Sequence, residues 1–196
     1  MRYPHFYELR KGHDEPALNR AIDAELTSLV DQFLPKAREA RREGPASTAL
    51  APWSFAVRCT PTYYRADAVS VVCKIDEYEG GAHPKQTAIA LNFWPLGTAQ
   101  TFSVDHMFLP GKNHRKVISD LCIAALLRQK AQWVVDGLTD VTKFLHTVNV
   151  TATGLLVTFD PYETGPYAEG FHEVAIPWER LRDIIDPSGP IGGIGR

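Results

Sequence analysis

Cysteine, methionine and net charge are all scarce in this 196-residue chain, which holds 3 Cys and 2 Met and sets 21 Lys+Arg against 23 Asp+Glu. Three cysteines are too few for a disulfide scaffold, and none forms a C-x-x-C pair, so the common zinc and redox motifs are excluded. A formal charge of −2 excludes a dedicated nucleic-acid or anionic-membrane binder, which would carry a strong basic surplus. No run approaches the ~18 apolar residues that cross a bilayer, so no membrane span is expected. The opening Met1-Arg2-Tyr3-Pro4-His5-Phe6 has neither the apolar stretch nor the small-residue cleavage site of a signal peptide. The chain is expected either to be cytosolic or to have been trimmed of an export segment. There is no G-x-S-x-G, no H-E-x-x-H and no P-loop. The glycines from Gly189 to Gly195 open no helix and so cradle no phosphate.

What is present is an ordinary globular composition. Hydrophobic residues make up 44% of the chain, which excludes intrinsic disorder. A chain this long buries roughly 70% of its unfolded surface, enough for a hydrophobic core. One domain is expected over 1–186, with an aperiodic, flexible tail over 187–196.

Hydrophobic periodicity supplies the elements. Leu18, Ile22, Leu26, Leu29 and Phe33 recur at spacings of four and three, one stripe of a helix that Asp14 can cap and Pro16 can open. Pro35 is expected to kink or end it, and Lys36–Glu43 reads as a solvated, charged stretch. Gly44–Ser47 reads as a loop. Strands are expected near 53–63, 68–78 and 85–95. Asn113 can cap a second helix buried through Val117, Ile118, Leu121, Cys122 and Ala125. A helical turn to Phe144, strands near 145–151, 154–159 and 171–176, and a short helix over Trp178–Ile185 complete the chain. The order is strand, helix, three strands, helix, three strands, short helix. Strands grouped in runs predict an α+β domain, mostly antiparallel, built from two interlocking halves.

Phe55, Val57 and Cys59 share one strand face, and Val69, Val71, Cys73 and Ile75 share another. A hairpin around Tyr64–Asp67 that brings both faces together sets Cys59 opposite Cys73. A disulfide can form there at a non-hydrogen-bonded pair. Two buried free thiols are the preferred reading, because buried Cys commonly serves as a small hydrophobe.

Two polar clusters join strands. The first is Asp76-Glu77-Tyr78-Glu79-Gly80-Gly81-Ala82-His83-Pro84, where Gly80 and Gly81 permit the positive φ of a sharp turn. The second is Asp160-Pro161-Tyr162-Glu163-Thr164-Gly165-Pro166-Tyr167-Ala168-Glu169-Gly170. An enzymatic reading pairs Glu79 or His83 with Glu163 or Glu169 across a cleft, as a cell-wall carbohydrate hydrolase with carboxyl groups about 5–10 Å apart. A structural reading has His83, Gly80, Gly81 and Pro84 bracing the turn while the carboxylates stay solvated. No nucleophile–base motif fixes catalytic roles, so the non-catalytic reading is preferred. The histidines show no ligand spacing, and neither a metal nor another cofactor is expected. Asp105-His106 and Asn113-His114 flank helix starts, where capping is the expected task. Among the aromatics beside strand ends, Tyr64, Tyr162 and Tyr167 are the candidate surface anchors, with Glu163 beside them.

Tyr78-Glu79-Gly80-Gly81-Ala82-His83-Pro84, a strand reaching Asn92-Phe93 and a helix form one motif. Gly154-Leu155-Leu156-Val157-Thr158-Phe159-Asp160-Pro161-Tyr162-Glu163, Gly165-Pro166-Tyr167-Ala168-Glu169-Gly170 and Val174-Ala175-Ile176-Pro177 form a second. Together they resemble the RsiV-type family of extracytoplasmic domains, over about Tyr3 to Ile185. That family takes in the lysozyme-sensing ectodomain of an anti-sigma factor, the non-catalytic N-terminal region of the deacetylase PdaC and a mycobacterial immunogenic secreted antigen. The resemblance implies an exported α+β domain, extracellular or periplasmic, that binds a protein such as c-type lysozyme or binds peptidoglycan. It carries over no catalytic residue, and it carries over His83 and Tyr162 only as motif residues.

Overall fold

A computed structural model describes residues 15–43, 52–65, 67–94 and 99–194. The strand expected ahead of the first helix, the Asp14 cap and the Gly44–Ser47 loop lie outside the described residues. The fold is α+β, with two antiparallel three-stranded sheets and helices packed against them.

The first half sets helix α1 (Glu15–Glu43) on a sheet of β1 (Ser54–Tyr64), β2 (Val69–Tyr78) and β3 (Lys85–Phe93), in the order β1-β2-β3. Leu18, Ile22 and Leu26 of α1 meet Val57, Val69, Val71, Cys73, Ile75, Leu91 and Phe93 in one core. The helical period of four and three and the strand period of two deliver those side chains to one interface. Each contributes roughly 1.5–3 kcal/mol when fully buried. The helix does not end at Pro35 but continues to Glu43. Contacts on both sides of the proline hold it: the Phe33 ring lies 5.3 Å from Phe55 and 6.2 Å from Trp53, and Lys36 Nζ reaches Glu79 at 2.9 Å.

β1 and β2 pair with Cys59 opposite Cys73, the register that matching apolar faces demands. The two cysteines are joined in a disulfide, at a Cα separation of 3.9 Å. The preferred reading of two free thiols is thus corrected: a directly opposed, closely spaced pair brings the two sulfurs within bonding range. Cys122 is the free cysteine, and burial pushes its thiol up to about 12.

The second half packs α2 (His114–Gln129) and the short α3 (Gln132–Val135) against β4 (Val148–Val150), β5 (Gly154–Phe159) and β6 (His172–Pro177), in the order β4-β5-β6. Asn113 caps α2, its side chain accepting from Lys116 N. The fully buried stripe of α2 is Ile118, Ser119, Cys122 and Leu126, whereas Val117, Leu121 and Ala125 are only partly covered. At the approach to α2, Ser103 N donates to the His106 ring, and Asp105 binds both His114 and Arg115. Capping therefore accounts for His106, while His114 shares the Asp105 carboxylate with Arg115. The short helix expected over Trp178–Ile185 is a single 3-10 turn, Trp178–Arg180, followed by further turns. Residues 187–194, expected to trail as a flexible tail, run in turns against the second core, where Ile191 is fully buried.

Buried polar groups join the halves. Ser70 Oγ donates to Asn92 Oδ1 and accepts from Asn149 Nδ2 and Val150 N, at 2.6, 2.9 and 3.0 Å. Asn92 Nδ2 donates to Val148 O, and Thr147 Oγ1 donates to Ala88 O. The face of β2 and β3 turned away from α1 is thereby bound to β4. Among the described residues, no helix is long and apolar enough to cross a membrane.

Candidate functional site

The two polar clusters meet. The β2–β3 turn, with Gly80 at φ +98 and Gly81 at φ +97, folds back as these glycines allow, and Tyr78 donates its hydroxyl to Gly81 O. This presents His83 to the loop between β5 and β6. Its ring stacks on Tyr167 at 3.8 Å between centroids, and its Nε2 lies 3.1 Å from the Tyr162 hydroxyl. Burial, and secondarily the nearby Asp76, raises the Tyr167 phenol above its ordinary value.

Tyr162 is 52% exposed and adopts φ +72, a left-handed conformation that costs an L-residue roughly 1–2 kcal/mol. Two backbone bonds hold it there: Tyr162 N to Gly165 O and Glu163 N to Asp160 O. The Trp133 ring, itself 36% exposed, stacks on Tyr162 at 6.3 Å. Trp133 reaches this position because the start of α3 docks on the loop: Trp133 N donates to Thr164 O and Gln132 N to the Glu169 carboxylate. Gly165 makes room for that carboxylate, since a Cβ there would lie 2.0 Å from Glu169 Oε2. The outcome is an aromatic platform: a cluster of two stacked pairs, Trp133–Tyr162 and His83–Tyr167, tilted against each other and built from three separate chain segments. Trp133 escapes sequence reading because it sits in a four-residue helix next to buried Val134, with nothing local to mark it as a surface residue.

The remaining candidates go elsewhere. Tyr64 packs partly buried against the α1 core, and the 63–67 turn lies at the opposite end of β2 from His83. Ten residues of strand separate them, about 33 Å. Glu79 pairs with Lys36, and Glu169 lies 3.4 Å from His172 Nε2. The four carboxylate and histidine groups proposed for a hydrolase thus have different partners. A cleft of about 370 Å³ opens elsewhere, over the β4–β5 turn and the end of β6, lined in part by Thr151, Gly154, Trp178, Glu179 and Arg182. No candidate residue lines it.

At the end of β5, where the loop that carries Tyr162 begins, His146 faces Asp160 and Glu163. Its Nε2 is 3.4 Å from a Glu163 oxygen and 3.9 Å from an Asp160 oxygen, and all three ligand atoms lie within 4.8 Å of one another. Burial raises the Glu163 carboxyl above its ordinary value, while the Asp160 carboxylate, and then Glu163, raise His146. Sequence reading placed no ligand set here, because the fold and not the local spacing brings His146 to the end of β5.

Two family profiles match the sequence. One, described as a protein of unknown function (DUF3298), covers residues 105–179; the other, described as Deacetylase PdaC, covers residues 1–86. Two solved structures are similar. A DUF3298 family protein from Pseudomonas aeruginosa gives a TM-score of 0.57 at 22% identity, over 71% of this chain and 65% of that one. A member of the same family from Bacteroides fragilis gives 0.61 at 17% identity, over 91% and 72%. The chain therefore spans about two thirds of the length of the Pseudomonas protein. No curated protein matches the sequence. These likenesses are to DUF3298- and PdaC-type domains broadly, a wider grouping than the RsiV-type family.

Proposed function

We propose that the chain is a non-catalytic binding domain that works outside the cytoplasm and recognises a partner in the cell wall, through Tyr162, Tyr167, Trp133 and His83. That partner is a lysozyme-like hydrolase or the wall glycan such an enzyme cleaves. The observation that carries the reading is the exposed, strained Tyr162, stacked on Trp133 and in tilted contact with the His83–Tyr167 pair. Tyr and Trp dominate the energetics of protein interfaces, and their flat rings also suit sugar faces. Holding a rigid aromatic in an unfavourable conformation serves recognition more readily than stability. Glu163 stands beside the platform, whereas Tyr64 lies too far away to share one contact surface with it. The Cys59–Cys73 disulfide supports export, since such bonds persist in oxidising compartments.

Isothermal titration calorimetry against a c-type lysozyme and against soluble peptidoglycan fragments tests the reading. A saturable heat with one of them is expected, and Tyr162→Ala/Tyr167→Ala should weaken it at least tenfold, as loss of interface anchors does. Silence with both ligands, or an unchanged affinity in the double variant, overturns it.

A further inference from the structure

His146 meets Asp160 and Glu163 at ion-pair range but without a short hydrogen bond to either. Each carboxylate has one oxygen fixed by a backbone amide: Ala88 N donates to Asp160 Oδ1, and Asp160 N donates to Glu163 Oε2, both at 2.8 Å. The other oxygen of each faces the same imidazole nitrogen, at 3.9 and 3.4 Å. Those gaps exceed the 2.7–3.2 Å of a good hydrogen bond. With metal–nitrogen and metal–oxygen bonds of about 2.0–2.2 Å, adjacent ligand atoms in a tetrahedral site lie about 3.4 Å apart; the Glu163 gap matches that edge, and the Asp160 gap would have to close by about 0.5 Å on an ion. Both carboxylate side chains are only 13% exposed, while that of His146 is 48% exposed, so the site has pinned walls and an open side. Amide bonds to the far oxygens are the kind of outer support that orients carboxylate ligands.

We propose that His146 Nε2, Asp160 Oδ2 and Glu163 Oε1 form a site for a divalent transition metal, with zinc the best match. An imidazole beside two carboxylates favours zinc or its first-row neighbours over calcium and magnesium, which take all-oxygen shells. Three protein ligands leave at least one position for water on the exposed side of His146. The ion would tie Asp160 to Glu163, the two ends of the turn that carries Tyr162, and anchor both to the segment before β4. The site stands on its own geometry, independent of which partner the platform binds.

Calorimetric titration of the metal-stripped protein with zinc chloride, with magnesium and calcium chloride as controls, tests the site. One-to-one zinc binding at micromolar or tighter dissociation constant is expected, together with a melting temperature that rises with zinc concentration. His146→Ala and Glu163→Gln should each weaken binding at least tenfold. The first removes a half-exposed ring, and the second keeps the acceptor for Asp160 N, so both variants should retain the wild-type circular dichroism. Cobalt substitution should give visible d–d bands in the wild type that are lost in His146→Ala. Absence of saturable zinc binding, zinc affinity unchanged in both variants, or tighter binding of calcium than of zinc each overturns the proposal.

Discussion

Tyr162 concentrates the tension between folding and recognition in one residue. Its φ of +72 suits glycine better than tyrosine, yet the residue stays half exposed within the platform. Tyr162→Gly should therefore be more stable than Tyr162→Ala, by about 1 kcal/mol, because only glycine takes this backbone conformation without penalty. Urea midpoints of the two variants measure the difference, and equal midpoints would mean the turn relaxes when the ring is removed. Tyr162 and Tyr167 were legible in the sequence as aromatics in a polar loop. Trp133 and His146 were not, since their roles depend on partners outside their own local segments: Tyr162 for Trp133, and Asp160 and Glu163 for His146. Tyr64, an aromatic at a strand end, is partly buried against the α1 core at the other end of β2 from the platform.

At the scale of the element, the β1–β2 hairpin and α1 show how local rules yield to packing. Alternation of apolar residues set Cys59 opposite Cys73, but a register by itself does not choose between thiols and a disulfide; the close approach of the two backbones does. The bond joins residues 14 apart, and in the chain-entropy view such a crosslink stabilises by about 2–4 kcal/mol. Guanidinium unfolding with and without reductant should differ by that amount, and Cys59→Ser/Cys73→Ser should match the reduced wild type. Cys122 is too buried to account for any such shift. In α1, a proline is normally a stop signal because it lacks a donor and crowds the preceding turn, at about 3 kcal/mol. Phe33 and Lys36, anchored on opposite sides of Pro35, carry the helix past it.

On the scale of the whole molecule, two cores are joined through a polar seam centred on Ser70. This hydroxyl is fully buried and serves Asn92, Asn149 and Val150 at once. Ser70→Ala should cost about 2–4 kcal/mol, more than an ordinary lost hydrogen bond, because the backbone N–H of Val150 and both amide side chains lose a partner inside the protein. Thermal unfolding checks it; a loss below about 1 kcal/mol would mean that the seam re-forms around water. By itself the sequence determined the α+β class, the two runs of strands, the hairpin register and the sharp turn at Gly80-Gly81. These follow from side-chain periods of two and 3.6 and from glycine's backbone freedom, which act over a few neighbouring residues. Only the tertiary structure decided which loops meet. It put His83, Tyr162, Tyr167 and Trp133 at one corner, sent Tyr64 to the far end of β2, brought His146 to Asp160 and Glu163, and anchored the final turns through Ile191. The encounter of His83 with the tyrosines requires docking one sheet on another through a few buried polar contacts between residues 56 to 80 positions apart, while those of Trp133, His146 and Ile191 require the second half to close on itself; no local pattern in the chain encodes either.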